Sequence, residues 1–180
     1  MKIKRAIALT ALVAAAAGIS PLAVAQDSGW YIGAIAGKSN FKDCTAPNCD
    51  DSDTAIGIFG GYQFHKNFGA ELGGTNLGKA SAPGFVDAEA TGFELVGVGT
   101  FPINERFSLY GKLGFFRWDV DSGGLSESGT DLTYALGVQW DFTKRLGFRA
   151  QYQVYKDVGD AATTGTTDVD VIGVGVVFKF

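Results

Sequence analysis

Hydrophobic and polar residues alternate with a period of two along most of this chain. Between residues 132 and 142 one set is Leu132, Tyr134, Leu136, Val138, Trp140 and Phe142, and the other is Thr133, Ala135, Gly137, Gln139 and Asp141. Alternation of this strictness marks a β-strand with one apolar face. The pattern returns as Leu146, Phe148, Ala150, Tyr152 and Val154 set against Gly147, Arg149, Gln151, Gln153 and Tyr155. It returns again as Ile172, Val174, Val176, Phe178 and Phe180 set against Val171, Gly173, Gly175, Val177 and Lys179. Residues 30–38, 56–64, 68–75, 92–101 and 108–115 follow the same template less cleanly. Phe115-Phe116-Arg117-Trp118 breaks the alternation and points to a bulge in the fifth strand.

Eight strands with no helical period between them must be joined as hairpins, so the sheet is antiparallel. The connections alternate in length. Residues 65–67, 102–106 and 143–145 are short, whereas 40–53, 77–85, 121–129 and 156–167 are longer and polar. Short turns at one end and long loops at the other are the layout of an outer-membrane barrel. The expected fold is all-β: an eight-stranded antiparallel up-and-down transmembrane β-barrel.

The N-terminus changes the count of residues available to that fold. Lys2, Lys4 and Arg5 precede a 14-residue apolar run, and Ala23-Val24-Ala25 supplies a small-x-small pattern. This is the form of a secretory signal cleaved after Ala25, and the run is too short to span a bilayer. Residues 1–25 are therefore assigned to a signal peptide and 26–180 to the barrel domain. Export removes three cations and no acid, taking the formal charge from -4 to -7. An acidic chain excludes a nucleic-acid partner on electrostatic grounds. Glycine, at 26 of 180 residues, is about twice the usual ~7%.

Which face meets lipid follows from the chemistry of the two faces. A soluble barrel would turn its apolar face inward and could carry a small ligand; a membrane barrel inverts the assignment. Three features favour inversion. Trp30, Tyr62, Phe64, Phe101, Trp140 and Phe142 lie near strand ends beside the short turns, as an aromatic girdle does. The polar face is too rich in glycine for a solvated surface and suits a crowded eight-strand interior. The chain also stops at an aromatic residue inside a strand, where a soluble protein usually trails a polar tail. On this assignment the lumen holds Glu71, Glu94, Lys112 and Arg149. Buried charges must be paired, and equal numbers of acids and bases permit it. Such a cluster either plugs and gates a narrow pore or serves stability alone, and the crowded interior favours stability.

With these residues in place, the sequence resembles the eight-stranded transmembrane domain of OmpA-like outer-membrane proteins. The matching stretches are Gly29-Trp30-Tyr31-Ile32-Gly33-Ala34, Phe59-Gly60-Gly61-Tyr62-Gln63, Gly69-Ala70-Glu71-Leu72-Gly73, Phe101-Pro102-Ile103, Leu109-Tyr110-Gly111-Lys112-Leu113-Gly114 and Arg149-Ala150-Gln151-Tyr152-Gln153. The resemblance runs in register over residues 27–180. It implies a switchable luminal salt bridge in which Glu71 is the acid and Arg149 its principal base, with Lys112 a further base. The position of a second luminal acid is occupied by Gln139, a departure from the pattern, and Glu94 on a neighbouring strand is the candidate to replace it. Longer members of the family continue into a periplasmic peptidoglycan-binding domain; with Phe180 as the last residue, no such tether is expected. Phe180, with Phe178, Val176, Val174 and Ile172 at alternate positions, resembles the signal read by the barrel-assembly machinery, and the same row suits a lipid-facing strand.

The remaining constellations point to no catalysis. Cys44 and Cys49, in an exported chain, suggest a disulfide shaping the first long loop. Two thiols without a nearby His make a poor zinc site. Asp43, Asp50, Asp51 and Asp53 crowd the same loop but lack the spaced ligands and glycine of a calcium-binding loop, so no metal and no cofactor is expected. Some barrels of this size modify lipid A with a His near the outer leaflet. His65, the sole histidine, falls in a short turn at the opposite end. The expected role is non-enzymatic: a monomeric structural and surface-presenting barrel among outer-membrane lipid and lipopolysaccharide, with at most a narrow gated pore. The alternatives are an adhesin or host-factor binder acting through its loops, and a soluble periplasmic ligand-binding barrel.

Overall fold

The computed structural model describes residues 28–42, 52–80, 88–122, 125–159 and 166–180. The signal segment ending at Ala25, the pair Cys44 and Cys49, and Asp43, Asp50 and Asp51 lie outside the described residues. Eight strands follow in order: β1 (Gly29–Phe41), β2 (Ser52–His65), β3 (Phe68–Ala80), β4 (Ala88–Pro102), β5 (Phe107–Ser122), β6 (Leu125–Asp141), β7 (Leu146–Val158) and β8 (Thr167–Lys179). Each pairs antiparallel with the next, and β8 returns to β1 to close the barrel. The closing ladder runs from Tyr31 opposite Lys179 to Phe41 opposite Val169. Closure removes the free edges that hydrocarbon could not satisfy.

The alternation predicted from the sequence is the alternation of the wall. Ile32, Ile58, Leu72, Leu95, Leu113, Leu136 and Val174 face outward and are exposed, while Tyr31, Val96, Tyr110, Gln153 and Val177 face inward and are buried. Apolar side chains outside and polar ones inside are the reverse of a soluble protein. A contiguous exposed band of Leu, Ile, Val and Phe is stable only against lipid. That rules against the soluble ligand-binding barrel.

Two expectations are corrected. The fifth strand has no bulge: β5 keeps unbroken register with both β4 and β6. Phe115 is 63% exposed and Phe116 1%, so the alternation continues through the apolar run. The pattern looked broken because Phe116 and Trp118 belong to the lumen, which is apolar at that level. The register shifts lie instead between Gln63 and His65, Asn76 and Gly78, and Tyr155 and Val158. At the second, Gly78 has φ +84° and its amide donates to Asn76 Oδ1 at 2.7 Å, a backbone turn that suits glycine. Residues 121–129 are also not one long loop. The β5–β6 ladder continues to Ser122 opposite Leu125. The sequence there is polar and small, yet main-chain pairing persists on both sides of residues 123–124.

Candidate functional site

From the end with the short turns, which faces the periplasm in such barrels, the lumen passes through three chemical layers. Strand pairing brings them together from residues far apart in sequence.

The first layer centres on Glu71 of β3. Its Oε2 lies 2.6 Å from Lys112 Nζ of β5, and its Oε1 lies 2.5 Å from Arg149 Nη1 of β7. The Tyr31 hydroxyl donates to Oε1 at 2.9 Å. Arg149 Nε donates to Gln139 Oε1 at 2.7 Å, and Gln139 Nε2 donates to Asp141 Oδ1 at 2.8 Å. Asp141 Oδ2 in turn lies 2.7 Å from Lys179 Nζ. The Arg149 guanidinium is enclosed by the rings of Tyr31, Phe59 and Tyr110, whose centroids lie 5.3, 5.0 and 4.8 Å away. Cation–π contacts of this kind strengthen where water is excluded. Glycine makes the enclosure possible. A Cβ on Gly61 would stand 2.3 Å from Tyr31 Cζ, and one on Gly137 would stand 2.5 Å from Tyr110 Cζ.

The second layer holds Glu94 of β4. Gln153 Nε2 donates to its Oε2 at 2.6 Å and the Tyr155 hydroxyl at 3.2 Å. Gln153 also donates to Thr133 Oγ1, and its Oε1 accepts from Gln151 Nε2, whose Oε1 accepts from Tyr110. No cation lies within ion-pair distance of Glu94 among the described residues. The expectation that Glu94 replaces a missing acid beside Arg149 is therefore corrected. It sits one layer on, held by neutral donors, and Glu71 alone serves both bases.

The third layer is apolar. Phe41, Leu77, Phe116, Trp118, Tyr155, Val158 and Val169 close the loop-bearing end, with Leu77 and Val169 fully buried. Phe116 and Tyr155 meet at 4.5 Å between centroids, and Trp118 Nε1 donates to Asp131 Oδ2 at 2.7 Å. Here too glycine sets the space, since a Cβ on Gly129 would stand 2.3 Å from the Trp118 ring. Sequence reasoning missed this plug. Its signal was present in the inward parity of Phe116 and Trp118.

On the outer wall, Trp30, Tyr62, Phe64, Phe101, Trp140 and Phe142 all point away from the barrel near the short turns. Trp30 packs on Tyr62 at 4.9 Å and Trp140 on Phe142 at 5.7 Å. Phe107 and Phe148, which pack against Trp140, extend the row. Ile172, Val174, Val176 and Phe178 form the outward row of β8, and Phe180 follows just beyond it, its amide donating to the Trp30 carbonyl. His65 is exposed at the end of β2, its Nδ1 accepting from the Asn67 amide in the β2–β3 turn at 3.3 Å. Among the described residues no three His, Cys, Asp or Glu side chains gather as metal ligands.

Comparison with known proteins gives the same picture. A family model described as the OmpA-like transmembrane domain matches residues 25–180. Outer membrane protein A of Shigella dysenteriae is 32% identical over 98% of this chain and 55% of its own length. The chain thus spans about half the length of the curated relatives it matches. Two crystal structures share the fold: Neisserial surface protein A, with a TM-score of 0.67 at 20% identity over 85% of this chain and 99% of that one, and Ail, the attachment invasion locus protein of Yersinia pestis, with 0.53 at 23% over 85% and 97%. An inside-out barrel of eight strands and a family match from residue 25 to residue 180 lead to one conclusion: this chain belongs to the OmpA-like transmembrane domains of the bacterial outer membrane.

Proposed function

We propose that the barrel is a non-enzymatic structural element that holds its extracellular connections at the cell surface, with a lumen closed to ions at rest. The observation that supports this most directly is the series of two seals. The Glu71–Lys112–Arg149 layer blocks the lumen by filling it, and the plug around Phe116 and Trp118 blocks it again at the loop-bearing end. An ion would have to leave most of its hydration shell to cross the plug, where polar groups such as Asp131 and the Tyr155 hydroxyl are already held in hydrogen bonds. A switch in the partners of Glu71 therefore does not by itself open a path.

The same reading includes cleavage after Ala25, a Cys44–Cys49 disulfide, a monomeric barrel, and recognition of the β8 row ending at Phe180 during assembly. It treats Glu71, Lys112, Gln139, Arg149 and Glu94 as internal cross-links between strands. Fractionating expressing cells, with and without boiling before electrophoresis, tests the envelope role, and planar-bilayer recording tests the seal. Outer-membrane protein with a heat-dependent mobility shift and no steady conductance is expected. A wild-type barrel that conducts steadily would refute the closed lumen. Ligand binding through the surface would show as adhesion lost when residues 40–53 are replaced by a short linker.

A further inference from the structure

Below the Glu71 layer the lumen opens to the short-turn end as a vestibule of about 400 Å³. Its charge runs against that of the chain. The protein carries a formal charge of -4, yet the lining includes the cations Lys66, Arg106, Arg149 and Lys179 against the acids Glu105 and Asp141. Lys179 and Asp141 neutralise one another at 2.7 Å. Lys66 and Arg106 have no ion-pair partner among the described residues, nor does Glu105, so the rim keeps two free cations against one free acid. Arg106 is held at the rim by its turn, because Asn104 Oδ1 accepts from the backbone amides of Arg106 and Phe107 at 2.9 and 2.8 Å.

The floor adds to this field. Arg149 is 7% exposed, its Nη1 bonded to Glu71 and its Nε to Gln139, while its second terminal nitrogen, Nη2, has no acceptor among the described residues. Behind it, Glu71 is one acid between two bases, and the second buried acid, Glu94, stands one layer farther from the mouth than Arg149. Low-dielectric walls focus such a field toward the open mouth. The apolar plug makes the vestibule a blind pocket.

We propose that the vestibule binds a small oxyanion from the periplasm, a solute bearing carboxylate or phosphate groups, with Arg149 Nη2 at its floor and Lys66 and Arg106 at its rim. A guanidinium with a free donor suits either group, and the volume lies in the range of small-molecule sites. The pocket faces away from the loops, so this activity is separate from surface presentation and does not depend on a pore.

The test uses the full barrel refolded in zwitterionic detergent, with citrate and inorganic phosphate titrated at constant ionic strength against sodium chloride. Amide resonances are followed by NMR. Saturable shifts confined to residues 28–31, 63–67, 100–108, 139–149 and 177–180 are expected for at least one of the two anions. Which of them saturates at lower concentration names the preferred group. The double variant Lys66→Gln/Arg106→Gln removes two exposed charges outside the strands, keeps the heat-dependent mobility shift, and should weaken binding about tenfold. Shifts matched by chloride alone, no saturation with either anion, or unchanged affinity in the folded double variant would each overturn the proposal.

Discussion

Replacing Glu71 by glutamine removes the single acid shared by two buried cations, and its effect can be worked from the geometry. Lys112 and Arg149 have side chains 1% and 6% exposed, at 2.6 and 2.5 Å from the carboxylate. Glutamine fills the same space. Its oxygen can still accept from the Tyr31 hydroxyl, but its NH₂ group turns a donor toward two positive charges. Breaking one buried ion pair costs about 3–5 kcal/mol, chiefly because the surviving charge is left without water or partner. Lys112 is stranded, whereas Arg149 keeps Gln139 and faces the vestibule, so the loss should fall within that range, more than a hundredfold in the folded-to-unfolded ratio. The assay is urea unfolding in lipid vesicles, read by the heat-dependent gel mobility and by tryptophan fluorescence, with linear extrapolation. Adding Lys112→Met to Glu71→Gln removes one stranded charge and should recover about 1–3 kcal/mol, a positive coupling. A loss under about 1 kcal/mol with no recovery would mean that water already reaches Lys112, behind the vestibule floor, and the closed-lumen argument would fail.

The other predictions concern the plug, the glycines, the outer wall and the rim of the cluster. In planar bilayers, Glu71→Gln alone should not raise conductance, whereas Glu71→Gln with Phe116→Ala and Trp118→Ala should; opening by the first change alone would make the ion-pair layer the only barrier. A Cβ on Gly37 would stand 2.1 Å from the Ile172 carbonyl oxygen, whereas one on Gly60 would meet nothing nearer than 3.9 Å. Gly37→Ala should therefore cost about 3 kcal/mol or more, as an overpacked site does, and Gly60→Ala far less in the same unfolding assay. Leu95, 61% exposed within the apolar band, should lose about 2–4 kcal/mol on change to arginine, while Asn40→Arg above the band should lose no more than about 1. Gln139→Glu adds an acid beside Arg149 but sets two carboxylates where Gln139 now donates to Asp141, 2.8 Å away. The single change should destabilise the barrel, and adding Asp141→Asn should reverse the sign; equal effects of the two would refute the role given to the Gln139–Asp141 bond.

Much of the architecture was legible in the order of residues. Leu132 to Phe142 reads as a strand, and is one, because side chains on a strand alternate faces whatever the strand pairs with. The girdle residues Trp30, Tyr62 and Trp140 could be placed because aromatic rings favour the level where hydrocarbon meets headgroups. The inward residues Glu71, Lys112 and Arg149 could be assigned to the lumen by parity alone. Two features resisted. Residues 121–129 look like a loop because they are mostly Ser, Gly, Asp and Glu, residues depleted in strands, while the main-chain ladder that pairs most of them leaves no mark in the sequence. Phe116 and Trp118 looked like a break in the pattern because the rule of polar lumen and apolar wall holds only where the lumen is polar.

What the sequence by itself determined was the number of strands, their alternation, the inverted barrel and the residues that face inward. These follow from local geometry and from the solvent on each face. Only the tertiary structure decided who meets whom across the lumen. Glu71, Lys112 and Arg149 lie on β3, β5 and β7, and contact between them depends on how far each strand is shifted against the next around the ring. A displacement of two residues in one ladder would preserve every face and change every partner. Closure fixed the register, and the register gave Glu71 both bases, left Glu94 among neutral donors, and gathered the inward aromatic and aliphatic residues into one plug.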